Sequence, residues 1–269
     1  MDTGSRAVVT SNVASMRAEP SDRSERVSQA LHGHTVRVLE EQGAFCRVRT
    51  ADQYEGWMHS AALRRLARGE EYPDLERLRV VSRPLLRVHA AGCAPSGVAP
   101  PYLLSAGSLV ECGDVVRLAD GSTVRLAASG LRTPTDAVPT PSAVLAVARR
   151  FLGVPYLWGG SSAFGLDCSG FVQLAFGLCG LLLPRDADLQ ADSPLLAERP
   201  LGAPMAGDLL FFGPAQPATG RAITHVAIAM AGGRYIHSSG RLGVAISHVG
   251  DETWRSLVRV RRPAFWPPR

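Results

Sequence analysis

The chain has 269 residues, room for two domains or one domain plus small modules at roughly 100–200 residues each. Hydrophobic residues make up 46% and charged residues 20%, which excludes a disordered or fibrous chain. The net charge of +5 and pI of 9.3 come from 29 arginines and no lysine. The arginines are scattered and never reach a block of about five or six, so no nucleic-acid partner is expected.

No stretch approaches the roughly 18 apolar residues of a membrane-crossing helix, so no membrane partner is expected. The start, Met1-Asp-Thr-Gly-Ser-Arg-Ala-Val-Val-Thr10, lacks the apolar core of a secretory leader. The five cysteines are odd in number and form no CxxC pair, so they read as buried thiols rather than a disulfide framework. Both features favour the cytoplasm. A secreted chain trimmed of its leader would read the same.

Residues 1–66 alternate short strands with turns. Ala7–Thr10, Thr35–Leu39, Phe45–Arg49 and Gly56–His59 carry β-formers, and Glu19–Asp22, His32-Gly33 and Gln42-Gly43 are turn material. Such spacing suggests a small all-β barrel. Residues 73–134 repeat the pattern with Leu78–Val81, Leu85–Val88, Ser108–Glu111, Asp114–Leu118 and Thr123–Leu126, where Asp120-Gly121 is a hairpin turn. Arg132 to Pro141 carries three prolines and reads as a stiff linker.

From residue 135 to 269 the character changes to α+β. Ser142 is the predicted N-cap of a helix over Ala143–Leu152, with Val144, Val147, Ala148 and Phe151 on one face. A second helix is predicted from Cys168 to Leu178. Strands then follow at Asp208–Phe212, His225–Met230, Arg234–His237 and Val244–Ser247.

Cys168 ends a glycine-rich segment, Tyr156 to Cys168, and starts a helix. A first-turn cysteine sits at the positive end of the helix dipole, which is expected to lower its pKa and make it a nucleophile. His225 begins one strand and His237 ends the next, so a hairpin would set them nearly opposite, about 5 Å apart. One could then act as base for Cys168 and the other hold its orientation. The same three residues admit a second reading as zinc ligands.

Six motifs occur here in the order found in the NlpC-type cell-wall peptidases: Tyr156-Leu-Trp-Gly-Gly160, Leu166-Asp-Cys-Ser-Gly-Phe171, Leu183-Pro-Arg-Asp186, Ala206–Phe212, Ile223-Thr-His-Val226 and Tyr235-Ile-His237. The resemblance covers about residues 140–262. It implies a papain-like cysteine peptidase fold with the triad Cys168, His225 and His237, and with Tyr156 lining the site near the oxyanion. Gln53-Tyr-Glu-Gly-Trp57 resembles the signature of bacterial SH3-like domains, with Gln53 where glycine is usual. The whole arrangement, two SH3-like barrels before the peptidase, resembles γ-D-glutamyl-L-diamino acid endopeptidases that recycle murein peptides. The resemblance implies that Asp167, Tyr54 and an acid of the first domain hold the amine of an N-terminal L-Ala. Glu25 is the acid chosen, with Glu19 and Glu55 as rivals. Ser169, Arg185 and Asp186 are further candidate substrate contacts, Arg185 and Asp186 equally a structural pair. Where the family often has a serine, this chain has Ala187-Asp188.

The function expected is therefore hydrolysis of the γ-D-glutamyl-L-diamino acid bond in murein-derived peptides, by a monomer without metal or cofactor. The alternatives are a secreted hydrolase of intact peptidoglycan and a non-catalytic wall-binding protein. Asp208 is expected to tie a turn. His32, His34, His59, His89 and His248 are expected at the surface or at strand ends. Cys179 lies 11 residues, about three helical turns, after Cys168 and is expected to be packed.

Overall fold

In a computed structural model of the protein the described residues are 5–91, 103–134, 139–214 and 223–267. Cys93 and residues 135–138 of the proline-rich linker lie outside them. The chain divides into two compact units, Met1–Asp136 and Ala137–Arg269.

In the N-terminal unit, seven strands form one antiparallel sheet: β1 (Ser5–Val9), β2 (Val13–Arg17), β3 (Arg26–Leu31), β4 (Thr35–Gln42), β5 (Phe45–Arg49), β6 (Glu55–His59) and β7 (Leu63–Arg65), in the order β3-β2-β6-β5-β4-β1-β7. Their inward residues, among them Ala7, Val9, Met16, Val36, Val48 and Met58, make one apolar core. The sequence reading missed β2 and β3 because Ser, Ala and Gln interrupt their apolar alternation. Seven shorter strands follow: β8 (Leu78–Val81), β9 (Leu85–Ala90), β10 (Leu103–Ser105), β11 (Leu109–Glu111), β12 (Val116–Arg117), β13 (Thr123–Leu126) and β14 (Leu131–Arg132). They form sheets ordered β10-β9-β13-β12 and β11-β8-β14 over a second core that includes Val81, Leu104, Val110 and Val124.

The two sets of strands expected as separate domains thus share one unit, and His32 shows how they are joined. It is fully buried rather than at the surface. Its Nδ1 donates to the Thr10 carbonyl at 2.8 Å, and the Ala119 N–H donates to its Nε2 at 3.2 Å. These partners specify one neutral tautomer, and burial holds the ring's pKa below its ordinary value. His34, half-buried, donates through Nε2 to the Gly107 carbonyl at 3.0 Å. Both histidines therefore join strand sets, and both lie at strand ends as expected, His32 just after β3 and His34 just before β4. His59, His89 and His248 are exposed.

The C-terminal unit opens with helix α1 (Pro141–Arg149). Its N-cap is Thr140, not Ser142: the Ala143 N–H donates to Thr140 Oγ1 at 3.2 Å, and Pro141 takes the first helical position, where its missing N–H costs nothing. A two-residue hairpin, β15 (Ser161–Ser162) and β16 (Gly165–Leu166), leads into α2 (Cys168–Gly177); α3 (Ala187–Ala191) follows. The sheet contains β17 (Leu196–Arg199), β18 (Leu209–Phe212), β19 (His225–Met230), β20 (Arg234–Ser239), β21 (Gly243–His248) and β22 (Leu257–Pro263), all antiparallel in the order β17-β22-β18-β19-β20-β21.

Strand β22 escaped the sequence reading because it is rich in arginine. Two of those arginines are buried with partners. Arg262 donates to both carboxylate oxygens of Asp208, at 2.6 and 3.0 Å, and Arg261 donates to the carbonyls of Ala191, Ser193 and Leu196. Asp208 also accepts from the Met205 N–H at 2.8 Å, so it ties the turn before β18 as expected and anchors β22 as well. Trp266 stacks on Phe176, and Cys179 is buried.

Candidate active site

Cys168 is the first residue of α2. Asp167 is the N-cap: its Oδ1 accepts from the Gly170 N–H at 2.7 Å, and its backbone carbonyl accepts from the Phe171 N–H. The first turn lies directly on the preceding loop. A Cβ at Gly170 would stand 2.1 Å from the Gly160 carbonyl oxygen, so no side chain fits there. The Asp167 N–H donates back to that same carbonyl at 3.1 Å. Tyr156 bridges to Leu166, two residues before the cysteine, and Ser238 Oγ donates to the Leu166 carbonyl at 2.7 Å, fixing β20 against the same turn.

The sulfur of Cys168 meets β19. The backbone N–H groups of Val226, the residue after His225, and of Ser169 are directed at it. His225 Nε2 and His237 Nδ1 face each other at 2.8 Å, with ring centroids 5.0 Å apart. The contact is real but the residues are not opposite. Pairing of Ile228 with Ile236 sets His237 across from Ala227, so His225 lies two residues along on the same face. His237 is buried, and its Nε2 reaches Ser247 Oγ at 3.0 Å. Ser247 was missed by the sequence reading. It could have been found by counting through the next hairpin: His237 pairs with Ala245, and Ser247 is two residues along on that face.

The zinc reading needs both ring nitrogens turned toward a third point, whereas here they point at each other. Among the described residues no group of three or more His, Cys, Asp and Glu side chains is placed to hold a metal ion.

The electrostatics reverse one expectation. Burial pushes the Cys168 thiol up to about 11, and the neighbouring Asp167 carboxylate adds to this; the two N–H groups and Arg185 pull the other way without prevailing. The capping carboxylate that starts the helix thus opposes the thiolate that the helix dipole favours. Burial and His237 hold His225 down at about 3, and Tyr156 is pushed up to about 12 by burial, Cys168 and Asp167. Both directions favour the neutral forms, a thiol at Cys168 and an imidazole at His225. Below a raised thiol pKa the thiolate fraction grows about tenfold per pH unit. Inactivation by iodoacetamide, followed by mass-spectrometric mapping of Cys168, is therefore expected to accelerate steadily from pH 7 to 9. A rate already flat between pH 5 and 8 would show a preformed thiolate–imidazolium pair instead.

The remaining candidates divide into two groups. Asp167, Ser169 and Arg185 form one buried cluster. Arg185 Nη2 donates to Asp167 Oδ2 at 2.5 Å, and its Nη1 donates to Asp167 Oδ1 at 3.1 Å and to Ser169 Oγ at 2.9 Å. Arg185 thus forms a structural pair with Asp167, eighteen residues apart. Asp186 is half-buried and precedes α3, where its carbonyl accepts from the Gln190 N–H. Tyr54 packs on the core of the N-terminal unit, and Glu25 is exposed just before β3.

With this geometry in hand, residues 153–262 match the family model for the NlpC/P60 family, and residues 16–63 match the bacterial dipeptidyl-peptidase SH3 domain. The chain is 44% identical over 110 residues to a gamma-D-glutamyl-L-lysine dipeptidyl-peptidase of Bacillus subtilis, covering 39% of this chain and 36% of that protein. It is 29% identical over 229 residues to the protein of the same name from Bacillus cereus, covering 78% of this chain and 66% of that protein. It thus spans less than two thirds of either relative. A crystal structure of an NlpC/P60 family protein from Bacillus cereus superposes with a TM-score of 0.83 at 21% identity, over 96% of this chain and 99% of that one, a likeness of fold. The chain therefore carries a peptidase domain of the NlpC/P60 family, papain-like in fold, preceded by a bacterial dipeptidyl-peptidase SH3 domain.

Proposed function

We propose that this protein is a cysteine peptidase that cuts the γ-D-glutamyl-L-diamino acid bond of peptidoglycan-derived peptides carrying a free N-terminal L-Ala. The observation that carries the chemistry is Cys168 at the start of α2 with its sulfur against β19, together with the contacts that run from His225 of that strand through His237 to Ser247. For His225 Nδ1 to take the thiol proton, its Nε2–H must donate to His237 Nδ1, and His237 Nε2–H to Ser247 Oγ. The two contacts are compatible with that polarity.

The Cys168 sulfur attacks the carbonyl carbon as its proton passes to His225. The C–S bond forms and the carbonyl oxygen becomes an oxyanion. Of the first-turn amides, that of Gly170 is taken by Asp167 and that of Ser169 lies against the sulfur. The Cys168 N–H and the Tyr156 hydroxyl are the donors assigned to the oxyanion. The C–N bond then breaks, the leaving amine takes the proton from His225, and a thioester remains. Water gives a proton to His225 and attacks the thioester; the acid leaves and the proton returns to the sulfur.

The substrate assignment rests on the resemblance of the SH3 segment and on the names of the relatives. It is tested by comparing kcat/KM for L-Ala-γ-D-Glu-diamino acid tripeptide with its N-acetyl derivative. An ammonium held by charge-assisted hydrogen bonds, worth about 1.5–3 kcal/mol each, predicts at least about tenfold preference for the unblocked peptide. Equal rates would overturn the amine requirement, and release of peptides from intact peptidoglycan would favour the wall-lytic alternative.

A further inference from the structure

The contacts that join His225, His237 and Ser247 can run in either direction, because a ring nitrogen and a hydroxyl each donate or accept. Tyr235 and Asp251, which the peptidase mechanism above does not use, remove that freedom. Tyr235 stands on β20 two residues before His237, with the two rings edge to face at 5.0 Å. It is fully buried, and it pairs directly across β20 and β21 with Ser247. Its hydroxyl donates to both carboxylate oxygens of Asp251, at 2.8 and 2.7 Å. The Trp254 N–H donates to Asp251 Oδ1 at 2.8 Å and holds that carboxylate in place.

A carboxylate accepts and does not donate, so the Tyr235 proton points at Asp251 and the phenol oxygen is left as an acceptor. The hydroxyls of Ser247 and Thr253 are directed at that oxygen. Burial and the bond to Asp251 push the Tyr235 pKa up, so its proton stays in place. A hydroxyl has one proton. With that of Ser247 given to Tyr235, the Ser247 oxygen accepts from His237 Nε2–H. Burial holds both histidines below their ordinary pKa, which favours neutral rings with one N–H each. His237 then offers a lone pair at Nδ1, His225 carries its N–H at Nε2, and the lone pair of His225 falls on Nδ1.

We propose that Tyr235 and Asp251 are positioning residues that set the tautomer of the base: the Asp251 carboxylate, acting through Tyr235, Ser247 and His237, keeps the His225 proton on Nε2 and leaves Nδ1 open to the Cys168 thiol. This rests on the reading of His225 as the base for Cys168. The reverse polarity places an N–H on His225 Nδ1, where no proton can be accepted. Enforcing the wrong histidine tautomer costs roughly ten-thousand-fold in kcat in a serine peptidase. Removing Tyr235's hydroxyl or Asp251 permits the wrong tautomer without enforcing it, so the loss is smaller.

The test is nitrogen-15 NMR of the histidine-labelled full chain at neutral pH, which reports the nitrogen that carries each imidazole proton. Steady-state hydrolysis of the L-Ala-γ-D-Glu-diamino acid tripeptide is measured on the same samples. Wild type is expected to show His225 and His237 as single Nε2–H tautomers. Tyr235→Phe keeps the ring and its packing but frees the Ser247 proton. Asp251→Ala, at a half-buried position, lets the Tyr235 proton turn to Ser247. In both variants His225 is expected to become a mixture of tautomers, with kcat lower by about ten- to hundredfold and KM changed by less than about twofold. Asp251→Asn retains an acceptor oxygen for Tyr235 and should recover most of kcat. The proposal is overturned if wild-type His225 carries its proton on Nδ1, or if the variants lose kcat while keeping the wild-type tautomers, which marks a purely structural role. Wild type with the expected tautomers but no cleavage of the tripeptide would support the polarity and overturn the substrate reading instead.

Discussion

Cys168→Ala is expected to lower the turnover of the murein tripeptide on the order of a million-fold, the cost of deleting a nucleophile from a group that acts as a unit. The thiol sits where its proton acceptor, its oxyanion donors and the attacked carbonyl must converge, so no neighbour substitutes for it. The fold should be spared. Alanine is the best helix former and Cys168 is the first residue of α2, while the cap belongs to Asp167 and the turn contact to Gly170. The check is single-turnover hydrolysis beside a thermal melt: activity at background with the midpoint unchanged. His237→Ala should cost less, about ten-thousand-fold, because it removes orientation rather than the nucleophile. Full activity in Cys168→Ala would remove the peptidase mechanism.

The second large effect is on stability. Arg185→Ala is expected to destabilise the protein by about 3–5 kcal/mol, because it strands the buried Asp167 carboxylate without its counter-charge. The side chains of the pair are 1% and 9% exposed, so water cannot take over. Arg185 also donates to Ser169, so both residues that flank the nucleophile lose a partner together. Urea unfolding monitored by fluorescence should show a lower midpoint with an unchanged slope. The double change Arg185→Met with Asp167→Asn should recover part of the loss, since both buried charges are then gone. The loss of Arg185 also removes a positive neighbour of Cys168, so any residual activity should shift to higher pH. A midpoint equal to that of the parent would show that the pair does not hold the nucleophile turn.

What was legible in the sequence was local. A capping residue, a nucleophile and three glycines in Gly160 to Gly170 encode a loop running into a helix, and α2 begins at Cys168 as expected. His225–Met230 alternates no polar residues and Ala231-Gly-Gly233 turns the chain, so the β19–β20 hairpin and the approach of its two histidines could be read from spacing. The candidate triad positions needed nothing beyond such short-range patterns and the resemblance they carry.

What only the tertiary structure decided was long-range and electrostatic. The Asp167–Arg185 bridge joins residues from different turns of the chain, and a carboxylate that looks available for substrate is bound to a guanidinium. Strand β22 is charged in composition yet lies inside the sheet, because Asp208 and three carbonyls are there to receive its arginines. Ser247 joined the relay through a diagonal across strands. Burial and the Asp167 carboxylate push the cysteine's proton affinity up, against the two backbone N–H groups and Arg185. Helix caps and hairpin turns depend on neighbours within a few residues, so a chain announces them. Burial and charge pairing depend on which distant segments meet, and that is decided only when the sheet is assembled.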